Sequence, residues 1–166
     1  MPAELPETMT AALLLGQGGP EMLDVRHDVP VPSPGPDEVL LRVAACGMNN
    51  TDINTRVGWY SKSVSGPTEV VAPDSDSSDG GWGGSPIAYP RIQGADPSGR
   101  VVAVGAGTDR SLIGRRALVD CWIRDRADPN RRELAQYLGS ELDGGFAQYC
   151  AVPARNVYPH DSPLTD

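Results

Sequence analysis

The stretch A-A-C-G-M-N-N-T-D, residues 44–52, decides how the rest of the chain is interpreted. It follows the apolar run 39–43, which predicts a buried strand, and it ends in the hydrogen-bonding side chains of Asn49, Asn50, Thr51 and Asp52. A strand end is rigid and a loop is open, so polar groups at this junction are both positioned and accessible. Taken alone, a polar turn with a helix cap is the simpler interpretation, because Asn, Thr and Asp are favoured in both.

Composition limits the fold and the function classes. The chain has 166 residues, enough for one compact domain with a sizeable core. Its 19 Gly, 16 Pro and 5% aromatic residues favour short strands joined by turns over a helical bundle. The net charge of −8 disfavours a nucleic-acid binder, because phosphate contacts need clustered Lys and Arg.

The sequence lacks a membrane span, a signal peptide and paired cysteines, and these features bear on localisation. No apolar run approaches the ~20 residues of a membrane span, and the N-terminus lacks a basic region followed by an apolar core. The three cysteines, Cys46, Cys121 and Cys150, are scattered and have no C-x-x-C spacing. These features are typical of a cytoplasmic protein with reduced thiols and no membrane partner.

Hydrophobic patterning predicts six or seven short strands and little helix, hence a barrel or a sandwich. The runs 10–15 and 22–29 flank a glycine-rich turn and predict a hairpin, and four prolines make 30–36 an extended connector. A short helix is expected over 53–57, capped by Thr51 or Asp52. Residues 128–138 are charged with some helical spacing and are expected on the surface. Further strands are expected at 38–43, 100–104, 117–123 and 144–153.

Residues 61–89 form the least regular segment, with D-S-D-S-S-D at 74–79 followed by G-G-W-G-G. This composition predicts a mobile surface loop, a lid or a simple insertion, with 74–84 the most mobile part. A calcium-binding EF-hand loop is excluded, because its sixth and twelfth positions counted from Asp74 are Asp79 and Ser85 rather than Gly and Glu. A dinucleotide-binding loop at Gly105-Ala106-Gly107 is also disfavoured, because the third glycine of G-x-G-x-x-G is missing.

Four blocks occur in an order that is similar to the N-terminal GroES-like domain of the medium-chain dehydrogenase/reductase superfamily. They are the P-x-P-x-P-x-E-V-L-L-R-V entry at 32–43, C-G-M-N-N-T-D, G-A-D-x-x-G-x-V-x-x-V-G at 94–105, and G-G-F-A-Q-Y at 144–149. Each block is weak alone, but together they span nearly all of residues 1–166. The resemblance implies a mainly β fold: a partly open β-barrel with a few short helices and a long loop.

The resemblance also implies that zinc ligands are missing. Zinc alcohol dehydrogenases of the superfamily have Cys at the position matching Asn49 and His at the position matching Ala95. Asn and Ala cannot supply the thiolate and imidazole of a catalytic zinc site. The family's structural-zinc lobe has four cysteines, and the matching region, 121–144, has only Cys121. The pattern is more similar to the zinc-independent quinone oxidoreductases and enoyl reductases, so we expect no metal.

Roles for individual residues follow from the same resemblance. Hydride addition to a conjugated carbonyl builds negative charge on its oxygen, and the Asn49 side-chain amide is a candidate donor to that oxygen. Thr51 matches a proton-relaying hydroxyl, and Asp52 matches a residue that orients the missing histidine, with helix capping as the alternative. Asn50 matches a contact to the cofactor pyrophosphate. Trp59 and Tyr60 are expected near the substrate cleft, although a core role for Trp59 is equally open.

In the family a Rossmann domain that binds NADPH or NADH follows this domain, whereas this chain ends at Asp166. We therefore expect the catalytic domain of a longer oxidoreductase, transferring hydride to a quinone, enone or similar small carbonyl compound. The domain alone is expected to be inactive, and a homodimer is possible for the full-length enzyme. The competing interpretation is a free-standing barrel that binds a partner without catalysis.

Overall fold

The structure, a computed structural model, describes residues 5–60, 81–82 and 85–164 and is mainly β, as the sequence predicts. Its one α-helix, α1, spans Asn50–Arg56. The strands are β1 (Thr8–Leu14), β2 (Leu23–Pro30), β3 (Glu38–Gly47), β4 (Arg91–Ile92), β5 (Asp96–Val104), β6 (Arg116–Val119), β7 (Trp122–Ile123), β8 (Gln136–Tyr137), β9 (Tyr149–Pro153) and β10 (Val157–His160).

These strands form three antiparallel sheets. The largest has the order β10-β6-β5-β3-β9, a second has the order β2-β1-β4, and β7 pairs with β8. Residues 146–148 join the first two sheets: the Ala12 amide donates to the Phe146 carbonyl, and the Val43 amide donates to the Gln148 carbonyl. The two larger sheets thus approach the partly open barrel expected for the fold, without closing it in the described residues.

Two apolar clusters hold the sheets together. The larger one lies on one face of the five-stranded sheet and includes Val39, Leu41, Val101, Leu138 and Val152. The smaller one lies between β1 and β4 and is extended by Phe146 and Tyr149. Burial of such side chains is the main favourable term in folding.

Most predicted elements are present, but the described residues form ten strands rather than six or seven, and several bounds differ. The hairpin is confirmed as β1 and β2, and the strand predicted at 117–123 is broken into β6 and β7. Residues 128–138 contain a three-residue 3-10 turn, Arg132–Leu134, followed by strand β8, and the expectation of a surface segment is wrong for Leu138, which is fully buried. Helix α1 begins three residues earlier than predicted, for a reason given below.

The loop predicted over 61–89 lies outside the described residues, except for 81–82 and 85–89. Among the residues that are described, no helix is both long enough and apolar enough to cross a membrane.

Candidate functional site

The site begins where β3 ends and α1 starts. Asn49 has an extended backbone (φ −125°, ψ 162°) and precedes the first helical residue, so it is the N-cap. Its backbone amide donates to a carboxylate oxygen of Asp52 at 2.9 Å, which satisfies one of the backbone donors that a helix start leaves unpaired. This contact accounts for the early start of α1, because the cap is Asn49 and Asp52 already lies in the first turn.

The Asn49 side chain is held by the start of β5. Its Nδ2 donates a hydrogen bond to a carboxylate oxygen of Asp96. The two residues meet because β3 and β5 are paired in a register that places Gly47 opposite Asp96. Both side chains are exposed, so the amide is fixed in position and still accessible to a ligand.

Asp52 connects the helix start to the 93–94 turn. It is buried, and one carboxylate oxygen accepts from the Gly94 amide at 3.2 Å while the Gln93 side chain donates to the Asp52 carbonyl at 2.9 Å. Burial raises the pKa of the Asp52 carboxyl, the hydrogen bonds from Asn49 and Gly94 lower it, and the charge of Asp96 raises it further, so the net shift is upward. The capping role is present, and the carboxylate also orients the turn before β5.

Glycines bring the motif blocks together. Gly94 has φ +96°, and a Cβ there would lie 2.7 Å from a Phe146 ring carbon and 2.8 Å from the Cys46 sulfur. The amides of Gly145 and Phe146 donate to the carbonyls of Gly94 and Gln93. The C-G-M-N, G-A-D and G-G-F blocks therefore meet at one point.

The two positions at which the family resemblance predicts zinc ligands both lie at this point. A buried alanine, Ala95, stands beside Asp96, and Asn49 occupies the other expected ligand position. Burial raises the pKa of the nearby Cys46 thiol to about 11. Among the residues that the structure describes, no group of three or more His, Cys, Asp or Glu is placed to hold a metal ion.

Thr51 and Asn50 lie on the first turn of α1. The Thr51 side chain is half-buried, and its carbonyl accepts from the Thr55 hydroxyl at 2.7 Å. Asn50 is exposed. In the described part of the chain neither the Thr51 hydroxyl nor the Asn50 amide makes a hydrogen bond, so both are open to a ligand beside Asn49.

Trp59 and Tyr60 follow α1 and start a row of aromatic side chains. Their rings meet edge to face with centroids 5.2 Å apart, and Tyr60 meets Trp82 at 6.0 Å. The row continues from Trp82 to Tyr137 at 5.7 Å and from there to Trp122 at 5.9 Å. Tyr60 is therefore part of an aromatic wall rather than an isolated contact residue.

Trp82, which the sequence predicts only as an apolar anchor of the 61–89 loop, is held by two buried hydroxyls. Its indole N–H donates to Thr55 Oγ1 at 2.6 Å, and its backbone amide donates to Ser140 Oγ at 3.1 Å. The sequence signal for this burial is a single tryptophan among glycines in a polar segment, because a large apolar side chain in such a segment packs against another part of the protein.

Comparison with known proteins agrees with this geometry. Residues 35–162 match the alcohol dehydrogenase GroES-like domain. L-threonine 3-dehydrogenase of Pyrococcus abyssi is 30% identical over 138 residues, covering 79% of this chain and 34% of that protein. The chain thus spans about a third of the length of the curated relatives it matches.

Solved structures give the same result. A candidate alcohol dehydrogenase from Sinorhizobium meliloti 1021 is 42% identical with a TM-score of 0.80, covering 98% of this chain and 42% of that one. A crotonyl-CoA carboxylase/reductase is 28% identical with a TM-score of 0.72, covering 97% of this chain and 36% of the other. With the family match over most of the chain, these likenesses show that the chain belongs to the alcohol dehydrogenase GroES-like domain family of the medium-chain dehydrogenase/reductase superfamily.

Proposed function

We propose that the chain is the substrate-side domain of an NAD(P)H-dependent oxidoreductase that reduces a quinone, an enone or a similar carbonyl compound without zinc. The observation that carries this proposal is the Asn49 amide, which stands at a family metal-ligand position and is fixed by Asp96. The family match supports the oxidoreductase class, and the likeness to a reductase of crotonyl-CoA is in keeping with reduction of a conjugated carbonyl.

Asn49 would stabilise the charge that develops on the substrate. A side-chain amide has two N–H donors, and Asp96 takes one of them. The second is free to donate to a carbonyl oxygen, which becomes more negative as hydride arrives at the conjugated carbon. Because Asp96 already orients the amide, little reorganisation is needed during the reaction.

Thr51 would supply a proton path. Its hydroxyl lies two residues beyond Asn49 on the first helical turn, and a hydroxyl donates and accepts at once. The Asp52 carboxylate accepts hydrogen bonds from the backbone amides of Asn49 and Gly94, so its contribution is to position the turn rather than to transfer a proton. The aromatic wall that includes Tyr60 and Trp82 would form an apolar side for a planar substrate.

A nicotinamide cofactor supplies the hydride when it is bound. In this chain the exposed residues that would face the cofactor are Met48, Asn49 and Asn50, with Asn50 next to the pyrophosphate. The glycine fingerprint that holds a dinucleotide pyrophosphate is not in this sequence, so most of the binding contacts would come from elsewhere in the enzyme.

Steady-state kinetics on the protein as its gene encodes it test the proposal. NADPH and NADH oxidation would be followed with a quinone and an enone, before and after dialysis against a chelator, with alcohol oxidation measured in parallel. We expect reduction that the chelator leaves unchanged, and a loss of about a hundredfold in kcat/KM for Asn49→Ala. Asn130→Ala, an exposed position, is the control and should match the wild type. Activity on alcohols alone that the chelator abolishes would refute zinc independence.

A further inference from the structure

Two exposed arginines lie directly opposite each other on the five-stranded sheet. Arg42 on β3 pairs in register with Arg100 on β5, and Arg100 pairs in turn with Arg116 on β6. Directly opposite residues of an antiparallel pair share a face and have Cβ atoms about 5 Å apart. The neighbours Leu41 and Val101 are fully buried in the core, so the arginines project from the outer face of the sheet.

The charges of Arg42 and Arg100 have little compensation. Within the residues that the structure describes, no carboxylate forms an ion pair with Arg42 or Arg100. Arg100 donates to the Gly114 carbonyl at 2.6 Å, and Arg116 donates to the carbonyls of Ser162 and Leu164. Like charges directly opposite each other destabilise a sheet, and the chain as a whole carries a net charge of −8. A cationic row on an acidic protein indicates that this face binds an anion.

The neighbouring row of side chains is apolar. Leu118 on β6 is paired with Tyr158 on β10, and the two are 55% and 56% exposed. Arginine beside exposed tyrosine is a composition enriched in binding surfaces. The arginine row is thus bordered by a surface on which the organic part of a ligand could rest.

From this arrangement we propose that Arg42 and Arg100 form a binding site for a polyphosphate anion, inorganic or carried on an organic molecule. A guanidinium fork binds phosphate oxygens in pairs, and forks on neighbouring strands are separated by a distance that a single di- or triphosphate spans. An extended acidic peptide fits less well, because its side chains on one face recur every ~7 Å rather than every ~5 Å. Arg100 lies four residues along β5 from Asp96, about 14 Å, so this site is separate from the one around Asn49.

Thermal unfolding of the full chain tests the proposal, with sodium tripolyphosphate as the probe and sodium chloride added to hold the ionic strength constant. We expect the wild-type Tm to rise by about 4 °C at ten times the dissociation constant. Arg42→Gln and Arg100→Gln should lose this rise. Without the anion, Arg42→Gln should melt at or above the wild-type temperature, because a repulsion has been removed. Arg132→Gln is the control, since Arg132 is exposed and lies outside the five-stranded sheet.

ADP in a parallel series shows whether an organic carrier improves binding. A Tm rise with either anion that Arg42→Gln abolishes and Arg132→Gln keeps supports the site. Equal shifts in the wild type and Arg42→Gln, or no shift with either anion, would overturn it. Stabilisation by an Asp-rich peptide without any response to tripolyphosphate would also overturn it and would assign the face to a polypeptide partner.

Discussion

The side-chain amide of Asn49 donates a hydrogen bond to the Asp96 carboxylate, and this contact joins the start of α1 to the start of β5. The two residues are 47 positions apart in the chain. The β3–β5 register brings the two residues together. The side-chain amide is therefore held at the end of two paired strands rather than on a free loop. The sequence resemblance matches Asn49 to a zinc-ligand position, so the contact bears on the prediction for metal binding.

We expect the purified protein to contain no stoichiometric zinc. An amide oxygen and the methyl group of Ala95 are poor substitutes for a thiolate and an imidazole. Elemental analysis after purification in zinc-containing buffer gives the metal content. The double variant Asn49→Cys, Ala95→His is the positive control and should retain more zinc than the wild type. One zinc per wild-type chain would contradict this prediction.

The buried carboxyl of Asp52 should make stability depend on pH. Because its pKa is raised in the folded state, the native protein binds this proton more tightly than the unfolded chain does. Its contribution to the unfolding free energy therefore grows as the pH falls from 7 through the raised pKa, and it diminishes as the pH rises. Asp52→Asn removes the titration, so the wild-type minus variant difference should increase toward lower pH.

Urea denaturation of both proteins at pH 7 and at several lower values measures this difference. At pH 7 the variant should lose about 1–3 kcal/mol, because an Asn side chain cannot accept from both the Asn49 and Gly94 amides. A difference that stays constant with pH, or that shrinks as the pH falls, would show that the pKa of Asp52 is not raised.

The sequence patterns predicted the position of the site more accurately than the contacts within it. The strand predicted before residues 44–52 is present as β3, although it runs on to Gly47, and local alternation is enough to predict it. The start of α1 was misplaced because Asp52 was expected to precede the helix, whereas its carboxylate accepts from the backbone amide of the true N-cap, Asn49. The second contact of that carboxylate, with the Gly94 amide 42 residues away, is one that local propensity cannot reveal. Leu138 was misjudged for the same reason, since charged neighbours hide a side chain that the folded core buries.

Trp82 should contribute to stability through its indole N–H. Its hydrogen bond to Thr55 Oγ1 is short and half-buried, so Trp82→Phe should lose about 1 kcal/mol beyond the effect of the smaller ring. Trp122→Phe is the matched control, because the Trp122 indole N–H makes no hydrogen bond in the described part of the chain. A double-mutant cycle with Thr55→Val isolates the pair, with urea unfolding followed by circular dichroism. A coupling free energy near zero would mean that the contact contributes no net stability.

Gly94 should be the least replaceable glycine at the site. Its backbone has φ +96°, and an added Cβ would press on the Phe146 ring and on the sulfur of Cys46. Gly114 provides a matched comparison: it has φ +87°, but no atom lies within 4 Å of an added Cβ. Gly114→Ala therefore reports the backbone strain alone, about 1 kcal/mol, whereas Gly94→Ala adds overpacking and should cost about 3 kcal/mol or more.

The two glycine variants also separate stability from function. Gly94→Ala should lower the unfolding free energy and, by displacing the turn that Asp52 holds, weaken the Asn49–Asp96 arrangement and reduce kcat/KM of the full-length protein. Gly114→Ala should lower only the unfolding free energy, because Gly114 lies at the distant β5–β6 turn. If both variants lose the same stability and neither changes kcat/KM, the close packing of the three motif blocks has no role in positioning Asn49.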